Sequence, residues 1–271
     1  MYGLGVNKLG TTNSSEFNPA VLFEDGSEGA WYDFTDKSLM FQEDGTTAAV
    51  LSQEVGKVLD KSGNGHHLVQ TTESKCPILR IDFEGKMCID FTTDDGLQST
   101  DTLTFGTDSD TEMTVIAAAR KEADALNQTV AEISPSVGSN KGAFRLFCTS
   151  GNLWRAIQKG GYVDETAVAN TISTTSVGTG NNKSVLLSMA SIDDPSHVFR
   201  RNGSEVDSNT ASLGNGTYGN WKVNVGARND AASAFLDGKI YALIIVAKKL
   251  TDAEIAGVEK YMALKSGVTL S

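Results

Sequence analysis

The segment Arg80-Ile-Asp-Phe-Glu84 places groups that could do chemistry at every second position. In an extended strand this alternation puts Arg80, Asp82 and Glu84 on one face. Two carboxyl groups held roughly 5–5.5 Å apart are what a retaining glycosidase uses, one as nucleophile and one as acid/base. The first of the three positions here is an arginine. A guanidinium neither attacks an anomeric carbon nor carries a glycosyl ester. The competing reading is a solvent-facing stripe with local charge pairing.

Asp60-Lys-Ser-Gly-Asn-Gly65 offers oxygen ligands at alternate positions and then a glycine, as a calcium loop begins. Thr71 stands where an EF-hand needs its closing glutamate, so an EF-hand is excluded. Two readings stay open. Asp60 and Asn64 hold a structural calcium ion, or the segment is a turn whose side chains bond their own backbone. Asp94-Asp95-Gly96 carries the same ambiguity. Trp31, Tyr32, Trp154 and Tyr218 are candidate platforms for stacking against a sugar, with burial in a core as the alternative. Trp221 alternates with Val223 and Val225 and reads as core. Cys76, Cys88 and Cys148 form no C-x-x-C pair and read as buried thiols. His66 and His67 are adjacent and would point to opposite faces of a strand, which does not suit one shared ion. No G-x-S-x-G elbow, P-loop or H-E-x-x-H occurs.

These residues must be held by short strands. Leu79, Ile81 and Phe83 alternate with charged neighbours, a half-buried strand pattern, and Glu84-Gly85-Lys86 breaks it before Met87–Phe91. Met113–Ala119 is a continuous apolar run fit for a central strand. Gln128–Ile133, Ala143–Cys148, Val185–Ile192 and Lys239–Ala247 continue the series. Asn202-Gly203 is a strong hairpin signal. Thr166–Asn182 reads as a weak edge strand or a long loop. One helix is expected, at 251–265: Thr251 and Glu254 form a capping box, Ile255, Val258 and Met262 recur at helical spacing, and Gly267 ends it. The fold class is therefore all-β, an antiparallel two-sheet sandwich with one C-terminal α-helix and an extended N-terminal arm.

The bulk composition agrees. The chain has 271 residues, 39% hydrophobic and 21% charged, with 27 Gly and 4 Pro. That is enough apolar content for one large core, with glycine to spare for turns. The net charge of −11 speaks against nucleic acid or an anionic membrane as partner. The N-terminus lacks a basic start followed by a long apolar run, so no secretory signal is expected. The longest apolar run, Tyr241–Ala247, is strand-sized, so no membrane insertion is expected.

Several segments taken in order resemble one group of proteins. They are Gly29-Ala-Trp-Tyr-Asp33, Val55 to His66 with its central Asp-Lys-Ser-Gly-Asn-Gly, Cys76-Pro-Ile-Leu-Arg80, and Asp90-Phe with Asp94-Asp-Gly-Leu97. Asn202-Gly, Val225-Gly226, Phe235-Leu-Asp-Gly-Lys-Ile-Tyr241 and Lys265-Ser-Gly-Val-Thr-Leu270 follow. From about residue 27 onward the chain is similar to the concanavalin A-like (laminin-G-like) jelly-roll proteins of tailed bacteriophages and prophages. The resemblance implies a jelly roll over 27–271 carried on a virion, with a lectin-like module for attachment to host-surface polysaccharide. It implies that residues 1–26 form an arm that anchors to other virion proteins, with Tyr2, Leu4, Val6 and Leu9 as anchor candidates. It also admits a homo-oligomer, although no heptad stretch marks a trimeric coil. A purely structural collar, head-decoration or fibre protein is the alternative. A polysaccharide-degrading enzyme is the second alternative, because Arg80–Glu84 also resembles the E-x-D-x-E strand of family 16 glycoside hydrolases.

Overall fold

The computed structural model describes residues 16–92, 94–105, 110–123, 127–161, 168–174, 183–228 and 230–271. The anchor candidates Tyr2, Leu4, Val6 and Leu9 lie outside the described residues. In chain order the strands are β1 (Gly29–Asp33), β2 (Met40–Phe41), β3 (Lys57–Val58), β4 (Leu68–Val69), β5 (Ile78–Ile81) and β6 (Met87–Phe91). Next come β7 (Leu97–Ser99), β8 (Glu112–Lys121), β9 (Gln128–Ile133), β10 (Ala143–Cys148), β11 (Trp154–Lys159) and β12 (Ala169–Ser173). The last are β13 (Lys183–Ser191), β14 (Ser196–Arg201), β15 (Ser204–Asn209), β16 (Val223–Val225) and β17 (Gly238–Val246), before α1 (Asp252–Ser266).

All pairings are antiparallel. The first sheet runs β15-β14-β13-β8-β17-β6-β5, with β1 also on β17; the second runs β12-β11-β10-β9-β16-β7-β4-β3-β2. β8 lies in the middle of the first sheet, as its apolar run requires. Its Met113, Val115, Ala117 and Ala119 face the second sheet, and Ile116 and Ala118 face outward. The outward side is also dry, because α1 lies on it. Ile255, Val258, Tyr261 and Met262 pack there with Val185, Leu187, Ile244 and Val246. The helix is held at both ends: the Thr251–Glu254 capping box is formed, and Gly267 takes the left-handed cap at φ 79°.

The start of the described chain corrects the arm boundary. Pro19–Leu22 form a short helical turn, and Leu22 and Phe23 are buried in the helix layer. Phe17 lies so close to Gly257 that a Cβ there would fall 2.2 Å from its ring. Apolar side chains at 17, 22 and 23 thus find a dry face, and this stretch belongs to the folded body rather than to an extended arm.

The Asp60–Gly65 segment closes an open sheet edge. β1 pairs with β17 on one side only. On the other side Trp31 N–H donates to Asp60 Oδ1 at 2.8 Å, and Lys61 N–H donates to the Trp31 carbonyl at 2.8 Å. Asn64 Nδ2 donates to the Gly29 carbonyl at 2.9 Å. Asp60 also accepts from Ser62 N–H and Oγ, Gly65 N–H and His66 N–H. With its lone pairs taken by five donors, Asp60 has none left for a cation. The calcium expectation at Asp60 and Asn64 gives way to a turn that caps an edge strand.

Candidate ligand-binding cleft

A cleft of about 500 Å³ opens where β1, the Asp60 loop, α1 and the first described residues meet. Trp31, Asp33, Lys61, Tyr261, Leu264 and Lys265 line it, together with the run Glu16, Phe17, Asn18 and Pro19. β1 brings Trp31 and Asp33 to the outer face at alternate positions, and α1 brings Tyr261, Leu264 and Lys265 within one turn. Asp33 organises the floor. Its Oδ2 accepts from Tyr261 Oη at 2.9 Å and Lys265 Nζ at 2.8 Å, with Lys61 Nζ at 3.5 Å. Its Oδ1 accepts from Thr35 Oγ1 at 2.6 Å. Burial works against the Asp33 charge, but the bonds from Lys265 and Thr35 outweigh it and hold the carboxyl below its usual range. Lys61 Nζ stands 4.5 Å from the Trp31 ring centroid, and Trp31 and Tyr261 meet edge to face at 5.8 Å. Trp31 Nε1 is buried and makes no hydrogen bond of good geometry.

Of the four stacking candidates, Trp31 alone reaches this cleft, and it is 5% exposed. Tyr32, Trp154 and Tyr218 have no exposed surface and lie between the sheets. Tyr32 Oη donates to the His66 carbonyl at 2.6 Å. Those three expectations are corrected, because inward positions on a two-sheet core offer no face to a ligand. Asp33, Lys61, Tyr261 and Lys265 escaped sequence reading. Tyr261 follows the buried stripe of α1, and its bond to Asp33 spans 228 positions.

The carboxylate segment is also reorganised. Arg80 pairs with Asp90 at 3.7 Å. Asp82 is buried, not solvent-facing: it accepts from Lys183 Nζ at 2.6 Å, Tyr241 Oη at 2.8 Å and the N–H groups of Glu84 and Lys86. The strand ends at Ile81, and the turn through Gly85 sends Ile81 and Phe83 outward at 50% and 61% exposure. A carboxylate held by four donors is a strut, not a nucleophile. The Asp94-Asp95-Gly96 turn is likewise self-bonded, with Asp95 accepting from Thr92.

Between the sheets, Ser188 Oγ lies 2.9 Å from His197 Nε2, and His197 Nδ1 lies 3.3 Å from Asn170 Oδ1. The order matches nucleophile, base and orienting group. All three are buried, and burial pushes His197 down to about 3. Such a weak base does not take a serine proton near neutral pH, so this is an interior polar network. His66 Nε2 pairs with Glu28 at 2.7 Å, and His67 Nδ1 accepts from Asp60 N–H. The three cysteines are buried and form no disulfide among the described residues, with burial raising Cys76 and Cys88 to about 12.

The outer face of the second sheet carries a different chemistry. Trp154 and Ala156 point into the core, so Arg155, Ile157 and Lys159 point out along β11. Arg145 and Phe147 are their neighbours on β10, in register with Ile157 and Arg155. Arg145 lies over the Phe147 ring at 4.3 Å. Glu132 is paired with Arg228 at 3.0 Å and lies 3.9 Å from Arg145. Burial and the neighbouring Arg228 lower the Arg145 guanidinium to about 10.

No protein-family model matches the chain, and no curated protein matches it in sequence. Solved structures do match. The binding domain of botulinum neurotoxin DC, in complex with rat synaptotagmin II, superposes with a TM-score of 0.54 at 12% identity. The match covers 81% of this chain and 52% of that one. A mutant of HCR/D gives 0.55 at 14% identity, over 82% of this chain and 53% of the other. The chain is a jelly-roll sandwich. This jelly roll spans about half the length of those two proteins. The Ruminococcus gnavus IT-sialidase CBM40 bound to α2,3-sialyllactose aligns with a TM-score of 0.42 at 14% identity, over 60% of this chain and 97% of that one. At such identities the likeness is one of fold alone.

Proposed function

We propose that the chain is a non-catalytic, lectin-like binding module whose ligand is a surface glycan held in the cleft beside Trp31. The observation that carries this reading is the cleft itself, where an indole, a phenol and two lysines converge around one buried carboxylate. Sugar sites combine an aromatic wall with a few fixed polar groups. The three anchored groups at Asp33 cannot drift, which keeps the site preformed at little entropic cost. Asp82 and His197, the groups nearest to a catalytic arrangement, are engaged in structure. The ordered segments shared with tailed-phage jelly rolls support a particle-borne setting, with host-surface attachment as the task and other virion proteins as neighbours.

The purified chain on a glycan array tests this, paired with Leu264→Glu. Leu264 is 46% exposed and lines the cleft, so a glutamate there would occupy the lysines without disturbing the core. Binding by the parent chain and its loss in the variant, at an unchanged melting temperature, is the expected result. Equal glycan binding by both proteins would remove the cleft from consideration.

A further inference from the structure

We infer that the outer face of the second sheet is a second binding surface, separate from the cleft, and that it takes an acidic polysaccharide lying along β11. On a chain of net charge −11, four cations gather here. Arg155 and Lys159 project from β11 and are half-buried, and Arg228 reaches in from the segment after β16, while Arg145 on β10 is itself buried and donates from Nε and Nη2 to Thr129 Oγ1. Among the described residues with ion pairs to them, Glu132 is the one carboxylate, shared by Arg145 and Arg228. Lys159 spends its ammonium on the carbonyls of Val137 and Gly138, which leave its charge uncancelled.

Net charge does not decide this contact. Charges further away than about 8–10 Å are screened at physiological ionic strength, so the local excess governs the last approach. Spacing narrows the class of ligand. Arg155 and Lys159 stand four positions apart on one strand, or about 13 Å. That is a sparse ladder, suited to a polymer with its charges spread along a sugar chain. Duplex DNA carries a charge about every 1.7 Å and would be repelled by the rest of the surface. Ile157, half-buried between the cations, offers apolar contact for the C–H faces of sugar rings.

The test is binding of the full chain to immobilised polygalacturonate, neutral galactan, polyphosphate and duplex DNA, at low and moderate salt. Polygalacturonate should bind, weaken about tenfold between about 50 and 300 mM salt, and exceed galactan and DNA. Arg155→Gln with Lys159→Gln should weaken it about tenfold, by removal of two charge-assisted contacts. Ile157→Glu, a change at a half-buried surface position, gives an independent loss if the double variant folds poorly. Tighter binding to DNA or polyphosphate than to polygalacturonate would overturn the assignment, as would unchanged affinity in both variants. Leu264→Glu should leave polygalacturonate binding intact. If array binding through the cleft fails while this binding survives, the cleft reading falls and the sheet-face reading stands; the reverse pattern separates them the other way.

Discussion

Asp60 Oδ1 accepts the backbone N–H of Trp31 across 29 positions of sequence, at 2.8 Å. Through this bond an acidic turn finishes the hydrogen bonding of an edge strand. Asp60→Ala would strand five donors at once, partly buried, and should destabilise the fold by about 2–4 kcal/mol in urea unfolding. Calcium or EDTA should leave the midpoint of the parent chain where it is. A rise in midpoint with calcium would restore the ion-binding reading of the loop.

Lys183 and Asp82 form a pair with both side chains nearly sealed from water, at 2.6 Å. Lys183→Met leaves the Asp82 carboxylate buried with its cation gone, and should cost about 3–5 kcal/mol. The double change Lys183→Met with Asp82→Asn should cost clearly less, since the orphaned charge goes too. A double-mutant cycle in urea measures the difference.

The His66–Glu28 pair gives a pH window. Burial disfavours the charged His66 ring, but the bond and charge of Glu28 prevail and raise its pKa above 6.5. Its stabilisation is complete below 6.5 and lost as pH climbs through the raised value. Burial also opposes the Glu28 charge, yet bonds from His66 and Thr104 bring it from 4.5 to about 2. Its stabilisation is complete above 4.5 and lost as pH falls towards about 2. The difference in melting temperature between parent and His66→Gln should therefore peak between about 4.5 and 6.5. A difference that grows steadily from pH 6.5 to 9 would contradict the pairing.

His197 acts with the opposite sign. Burial depresses its pKa from 6.5 to about 3, so the unfolded chain takes up a proton that the folded chain refuses. Stability should therefore be lost as pH falls through this interval. His197→Gln should flatten the acid limb of the melting profile, even with some loss of stability at neutral pH. An unchanged acid limb would show that other groups set it.

The sandwich, the central β8 and the capped helix were readable because each is written in local periodicity or capping chemistry. Met113–Ala119, a continuous apolar run, suited a central strand, and Thr251 with Glu254 marked a helix start. The buried cysteines followed from residue type. What alternation could not reveal was which way a pattern turns at a strand end. Asp82 turns in and Phe83 out because the turn through Gly85 uses the Asp82 carboxylate as its acceptor. Nor could it distinguish the two sides of the first sheet, both dry, which is why Trp31 and Tyr32 are neighbours in sequence yet belong to different cores. The cleft was hidden for a third reason: Asp33 meets Tyr261 and Lys265 only after nearly the whole chain has closed on itself.

That closure sets an order of events during synthesis. β1 is made more than 200 residues before its partner β17, with Gly29 paired to Val246 and Asp33 to Ala242. Until residue 246 is available, Ala-Trp-Tyr-Asp has no ladder to join, and its Trp31 and Tyr32 have no core to enter. Contacts this distant in sequence make folding slow and leave apolar strands bare in the meantime. The Asp60 loop is made early, and it masks the edge of β1 that would otherwise recruit a strand from another nascent chain.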